Sequence, residues 1–270
     1  MPKQIKGYIQ VYSRNARDRI IAAGEKFLNE AGLGRLSTEL FACVDELIKN
    51  AVKANYKFLL IRERIFELYR QTWPGKSDSE IEADLNDIVK FPESFNHLAE
   101  DVLARENLSD TVREILNEES RLLTIKNRAY AEKRSYTEDE KSAIRNLTLI
   151  ADIKKKIKGK DIKIILRIMT DDHYLYIDIT NTAPILTRDL QRIHDKRDEH
   201  RRCKREGREH EFFINHIDTS ESGFGLGYAK IDVILNNWGL EDEQPITIIS
   251  AINTTVMLTL PLELLRERYG

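Results

Sequence analysis

Apolar residues recur along the chain at two periods, and the changes between them mark out its parts. Tyr8 to Tyr12 alternates and contains β-branched Ile9 and Val11, which predicts a short strand. From Ala16 to Leu28, the positions Ile20, Ile21, Ala23 and Phe27 suit one helix face, and Gly32 and Gly34 end it. A second helix follows Ser37-Thr38, with Leu40, Phe41, Val44, Leu47, Ile48, Ala51 and Val52 as its buried stripe.

Between about Tyr56 and Lys158 the pattern is helical and highly charged. Trp73-Pro74-Gly75 and Phe91-Pro92 punctuate it, Ser77 to Ser79 can cap a helix carrying Ile81 and Leu85, and a long helix with Val112, Ile115, Leu116, Leu122 and Leu123 follows. Thr137 and Glu140 form a capping box ahead of Ile144, Leu147, Ile150, Ile153 and Ile157. Residues 56–158 therefore read as a helical insert or subdomain. Its apolar stripes need partners: one another, the core, or a second protein, another copy of the chain included.

After Gly159 the period falls to two. Ile162, Ile164 and Leu166 alternate, Asp171-Asp172 marks a hairpin turn, and Leu175, Ile177 and Ile179 alternate again up to Asn181. Arg188 to Glu209 is rich in both charges and reads as a mobile, solvated segment, or as a lid with cationic contacts beside a triphosphate. Ala229 to Trp238 returns to helical spacing, and Ile246 to Ile249 and Thr254 to Leu260 add two strands before Pro261 and a short charged tail.

Composition narrows the function classes. A chain of 270 residues with 41% hydrophobic residues can bury one good core and a second smaller one. A formal net charge of -2 argues against a general nucleic-acid or membrane-surface binder. Cys43 and Cys203 are far apart, have no metal-ligand spacing, and suit two unpaired thiols in a reducing cytoplasm. The N-terminus lacks the features of a signal peptide, and no apolar run approaches the roughly 20 residues that span a bilayer. The expectation is a cytoplasmic chain that receives its signal through a soluble partner or ligand.

Candidate chemistry sits in three places. Ser222-Gly223-Phe224-Gly225-Leu226-Gly227-Tyr228 sets three glycines at alternate positions immediately before a helix. That is either a packing turn or a phosphate cradle, since glycine lets successive N–H groups converge on an anion at a helix N-terminus. Glu46, Asn50 and Lys53, at i, i+4 and i+7, align a carboxylate, an amide and an ammonium along one side of the second helix. Such a row is either a solvated face or the lining of a cleft, where it suits a metal-nucleotide. The turn Asn181-Thr182-Ala183-Pro184-Ile185 places an amide at a strand end. His97 stands alone in the insert and reads as structural or exposed.

With these three elements in this order, the chain resembles the ATP-binding superfamily shared by gyrase, the heat-shock chaperone ATPase, MutL-type repair proteins and histidine kinases. Val44-Asp45-Glu46-Leu47-Ile48-Lys49-Asn50-Ala51 is similar to that family's N-box, Gly223-Phe224-Gly225-Leu226-Gly227 to its second glycine box, and Asn253 to Leu262 to the closing strand of kinase members. The resemblance covers roughly residues 7 to 55 and 161 to 262. It implies an α/β chain of the α+β two-layer sandwich kind, a mixed β-sheet covered on one face by helices. Residues 1–55 and 159–270 would form the ATP-binding domain, with the all-helical insert at 56–158.

By the same resemblance Glu46 is the base or acceptor-positioning group, Asn50 the Mg²⁺ ligand and Lys53 a phosphate contact. Gly223, Gly225, Leu226 and Gly227 would cradle the triphosphate of ATP, with Asn181, Ala183 and Thr254 at the adenine end. The family's Asp-x-Gly-x-Gly turn is replaced here by Asn181-Thr182-Ala183-Pro184-Ile185, which keeps an acceptor oxygen but has Ala183 in place of a glycine and no glycine elsewhere. Residues 1–43 contain no histidine to serve as a phosphoacceptor, and the start of the chain looks more like the anti-sigma-factor serine kinases. Three functions follow as expectations: transfer of the γ-phosphoryl group to a partner protein, an ATP-driven conformational switch, or a non-catalytic nucleotide sensor.

Overall fold

The structure is a computed structural model that describes residues 3–217, 226–240 and 244–269. The first strand, β1, is Lys3–Ile9. It lies earlier than the alternation of Tyr8 to Tyr12 suggests, because β1 pairs with the later strand from Lys3↔Thr170 to Ile9↔Ile164. Beyond Ile9 the chain is taken over by helix α1, Arg14–Glu30, whose first turn is capped by the Ser13 hydroxyl accepting from the Ala16 N–H at 3.3 Å. Gly32, at φ +75, ends α1 in the left-handed conformation that favours glycine.

Helix α2 runs unbroken from Ser37 to Thr72, 36 residues. No glycine or proline interrupts the sequence until Pro74-Gly75. The division anticipated between residues 55 and 56 therefore falls inside one helix. Further helices follow: α3 Asp78–Val89, α4 Pro92–Arg105, α5 Leu108–Ala131, α6 Glu138–Arg145 and α7 Thr148–Gly159. Capping boxes at Ser77/Glu80 and Thr137/Glu140 start α3 and α6, each satisfying two otherwise orphaned backbone donors.

Strands β2, Ile164–Thr170, and β3, Tyr174–Asn181, form the anticipated hairpin, with Asp171 Oδ1 accepting from the His173 and Tyr174 N–H groups. Then come α8 Thr187–Arg205, α9 Glu209–Ile217, α10 Leu226–Asn237, β4 Ile246–Ser250, β5 Thr254–Pro261 and α11 Leu262–Tyr269. The segment expected to be mobile is largely helix α8. Its inner face carries Asp189, Ile193, Arg197, His200 and Cys203, a buried stripe made mostly of polar residues that pair with neighbouring elements. A hydrophobic-periodicity reading cannot see such a stripe.

The fold is α+β, with helices layered against one face of a five-stranded sheet of order β1-β2-β3-β5-β4. The sheet is antiparallel at every pairing, not mixed. The reason is topological: β4 runs in the direction of β3 but lies outside β5, so its hairpin with β5 puts an antiparallel neighbour on each side of β5. Buried Ile164, Leu166, Ile168, Leu175, Ile177, Ile179, Val256 and Leu258 form the inner face. The alternate residues, Tyr8, Arg167 and Asp178 among them, are exposed or half-buried on the other.

α2 is the spine. Its first half packs on β2, β3, α1 and α10, and the helix also carries α3, α4, α5 and α7. One continuous hydrophobic core results, reaching from Ile177 and Leu258 in the sheet through Leu47 and Leu59 to Ile81, Phe95, Val102 and Ile115 in the insert. Among the described residues no helix is long and apolar enough to cross a membrane. Cys43 and Cys203 are both free and buried. Burial pushes the Cys43 thiol up to about 12.

Candidate functional site

The Glu46, Asn50 and Lys53 row lies on the edge of α2 that turns toward α10. Position 57 continues it, and there Lys57 pairs with buried Asp189 at 2.6 Å, tying α2 to the first turn of α8. Glu46 and Lys53 are half-buried and Asn50 is only 6% exposed. The row is thus the wall of a helix interface and not a solvated face.

Gly227, in the first turn of α10, explains how Glu46 fits. A Cβ at Gly227 would stand 2.3 Å from Glu46 Oε1 and 2.9 Å from its Cδ and Cγ. The glycine serves close approach, with ordinary helical φ, so that the Glu46 carboxylate rests over the start of α10. A negative charge there is favoured by the helix dipole. Leu226 opens α10 and is half-exposed. Gly223 and Gly225, the other two glycines expected in the cradle, lie outside the described residues.

Asn50 is the chemically unusual member. Among the described residues, neither of its buried side-chain polar atoms, Nδ2 and Oδ1, has a hydrogen-bond partner. Most buried polar atoms are satisfied, and leaving one unpaired costs about 1–3 kcal/mol. An amide held in this state is available to a ligand without first breaking a protein contact.

The strand-end turn closes against the same helix. Asn181 pairs in register with Thr254, and its Nδ2 donates to the Ala51 carbonyl at 3.4 Å, one residue beyond Asn50. Asn181 Oδ1 accepts from the Ala183 N–H at 3.3 Å, and Thr254 Oγ1 donates to the Ala183 carbonyl at 3.1 Å. The fold thereby brings Asn181, Ala183 and Thr254 together and sets them on α2 beside Asn50. All three are buried.

Positive charge dominates beside Glu46. Burial pulls the Lys53 ammonium below its ordinary value, Glu46 opposes this, and Lys49 and Lys230 add to it. Among the described residues Lys53 makes no hydrogen bond or ion pair. On the next face of α2, burial pushes the Asp45 carboxyl up, but hydrogen bonds from Lys49, Tyr12 and Arg17 outweigh it and hold it below the usual carboxylate range. Behind the row, Arg197 of α8 grips Asp232 of α10 through Nε at 2.9 Å and Nη2 at 2.8 Å, a buried bidentate pair that fixes the two helices.

Sequence reasoning did not single out Lys57, Asp189, Lys230, Arg197 or Asp232. Lys57 was within reach, since it extends the i, i+4, i+7 row by one turn. The others meet it or each other only across elements far apart in sequence. His97 is exposed, 3.7 Å from Asp101 on its own helix, and takes no part in this site.

Among the described residues no group of three or more His, Cys, Asp and Glu side chains could by itself hold a metal ion. No protein-family model matches the chain, and no match was found among curated proteins or solved structures.

Proposed function

We propose that the chain binds Mg-ATP at the Glu46, Asn50 and Lys53 row and transfers the γ-phosphoryl group to a partner protein, as its resemblance to the histidine-kinase-like ATPases implies. The observation that carries this reading is the buried Asn50 amide, with neither polar atom partnered among the described residues. Its oxygen suits Mg²⁺, the Lys53 ammonium suits phosphate charge, and the Glu46 carboxylate suits positioning of an acceptor hydroxyl or imidazole. Gly227 and the glycines before it would meet the triphosphate through backbone donors. At the adenine end, Asn181 Oδ1 already accepts from Ala183, and its second lone pair would have to serve the base amine.

A second reading is an ATP-driven switch without protein phosphorylation. It is favoured by α2, which carries the row and the insert helices on one continuous rod. The two are separated by incubating the protein, a cell extract and γ-labelled ATP with Mg²⁺. Label on protein supports phosphotransfer, whereas release of free phosphate alone supports the switch. Absence of Mg-ATP binding at millimolar concentration, read by calorimetry, would overturn both.

A further inference from the structure

A separate cleft of about 720 Å³ opens on the other side of Lys53, between the start of α1, α2 and α5. Its volume is that of a small-molecule site. Val52, Leu116, Leu123 and Ala131 line it with apolar surface. At its rim Arg14 Nη1 donates to Asn127 Oδ1 at 3.2 Å and its guanidinium lies 4.3 Å from the centre of the Tyr130 ring, bridging α1 to α5.

Each charged residue lining this cleft but one has an ion-pair partner. Asp45 takes Arg17 at 3.0 Å and Lys49 at 2.7 Å, Asp18 takes Arg14 at 3.6 Å, and Glu119 takes Lys154 at 2.8 Å. Lys53 lines the cleft as well, and among the described residues it has no partner. We propose that this cleft binds a small amphipathic organic anion, its acidic head on the Lys53 ammonium and its apolar body along Val52, Leu116 and Leu123. A cation without an ion-pair partner beside apolar walls favours a negative charge on a hydrophobic body. A neutral apolar molecule would leave the ammonium unpaired, a cation would be repelled, and a polyphosphate would need several free cations. Burial weakens the protonated state of Lys53; Glu46 opposes this, and Lys49 and Lys230 add to it, so an arriving anion relieves the net cost.

Lys53 is also part of the row given above to the nucleotide, so occupancy of the cleft bears on that row. This link rests on the proposed function, while binding in the cleft does not. The test is calorimetric titration of the nucleotide-free full chain with octanoate, with octylamine and acetate as controls. Saturable binding of octanoate at one site is expected, with both controls weaker by about tenfold or more. Leu123→Glu and Lys53→Met should each weaken octanoate by about tenfold or more, with folding checked by circular dichroism. Equal binding of octanoate and octylamine, octanoate binding that survives Lys53→Met in the folded protein, or no octanoate binding at millimolar concentration would overturn the proposal. Repeating the titration with Mg-ATP keeps the two readings apart: loss of nucleotide binding with octanoate binding intact rejects only the nucleotide, and the converse rejects only the cleft.

Discussion

Replacing Asn50 with leucine should make the protein more stable and abolish the Mg²⁺-dependent nucleotide binding proposed above. Asn50 is 6% exposed, and among the described residues both of its polar atoms are unpartnered. Each such atom costs about 1–3 kcal/mol when buried. Leucine removes both and buries more apolar surface, while its extra bulk in a packed helix interface returns about 1–3 kcal/mol of strain. The balance is a net gain of about 2 kcal/mol, which in a domain of this size raises Tm by about 4–8 °C. Differential scanning calorimetry of the two proteins without ligand measures it, and titration with Mg-ATP reads the lost function. A Tm below that of the unsubstituted protein would refute the reasoning, because the amide would then be satisfied by buried water and would be holding the interface together. Asn50→Asp completes the test: an unpaired buried carboxylate should lower Tm, and added Mg²⁺ should recover part of the loss.

Gly227→Ala should displace the Glu46 carboxylate and, on the proposed function, lower the turnover of ATP more than its affinity; equal losses in both would count against the acceptor-positioning role proposed for Glu46. Arg197→Met leaves Asp232 buried and uncompensated and should cost about 3–5 kcal/mol in urea unfolding, most of it recovered in the double variant with Asp232→Leu. The Asp45 carboxyl lies below its unfolded value of about 3.9, so it contributes stability above that pH. This contribution fades as pH falls through the lower folded value. Asp45→Asn should therefore flatten the acid limb of an unfolding curve below about pH 4, and an unchanged acid limb would dismiss the network around Asp45.

Much of the scaffold was legible in the chain because its signals are local. The capping boxes at Ser77 and Thr137, the alternation on either side of Asp171, and the stripe from Leu40 to Val52 each depend on residues within a few positions of one another. The Glu46, Asn50 and Lys53 row was visible for the same reason, as helix geometry alone puts those positions on one side. The fold class follows from these local patterns together.

What the row is for depended on tertiary structure. Whether an i, i+4, i+7 polar set is a wet face or a wall is decided by what packs on it, and here α10 does so, with Gly227 against Glu46. The place of β1 and its pairing were set by a strand more than a hundred residues away, and the sheet order also by β5 returning to pair with β3. α8 is ordered by the long-range pairs Lys57–Asp189 and Arg197–Asp232, which neutralise a stripe that would otherwise stay in water. The sequence determined which groups could meet a nucleotide. Only the packed chain decided that Asn50 has no partner among the described residues and that Lys53 stands between the α10 interface and a cleft, because burial and pairing are properties of neighbours in space.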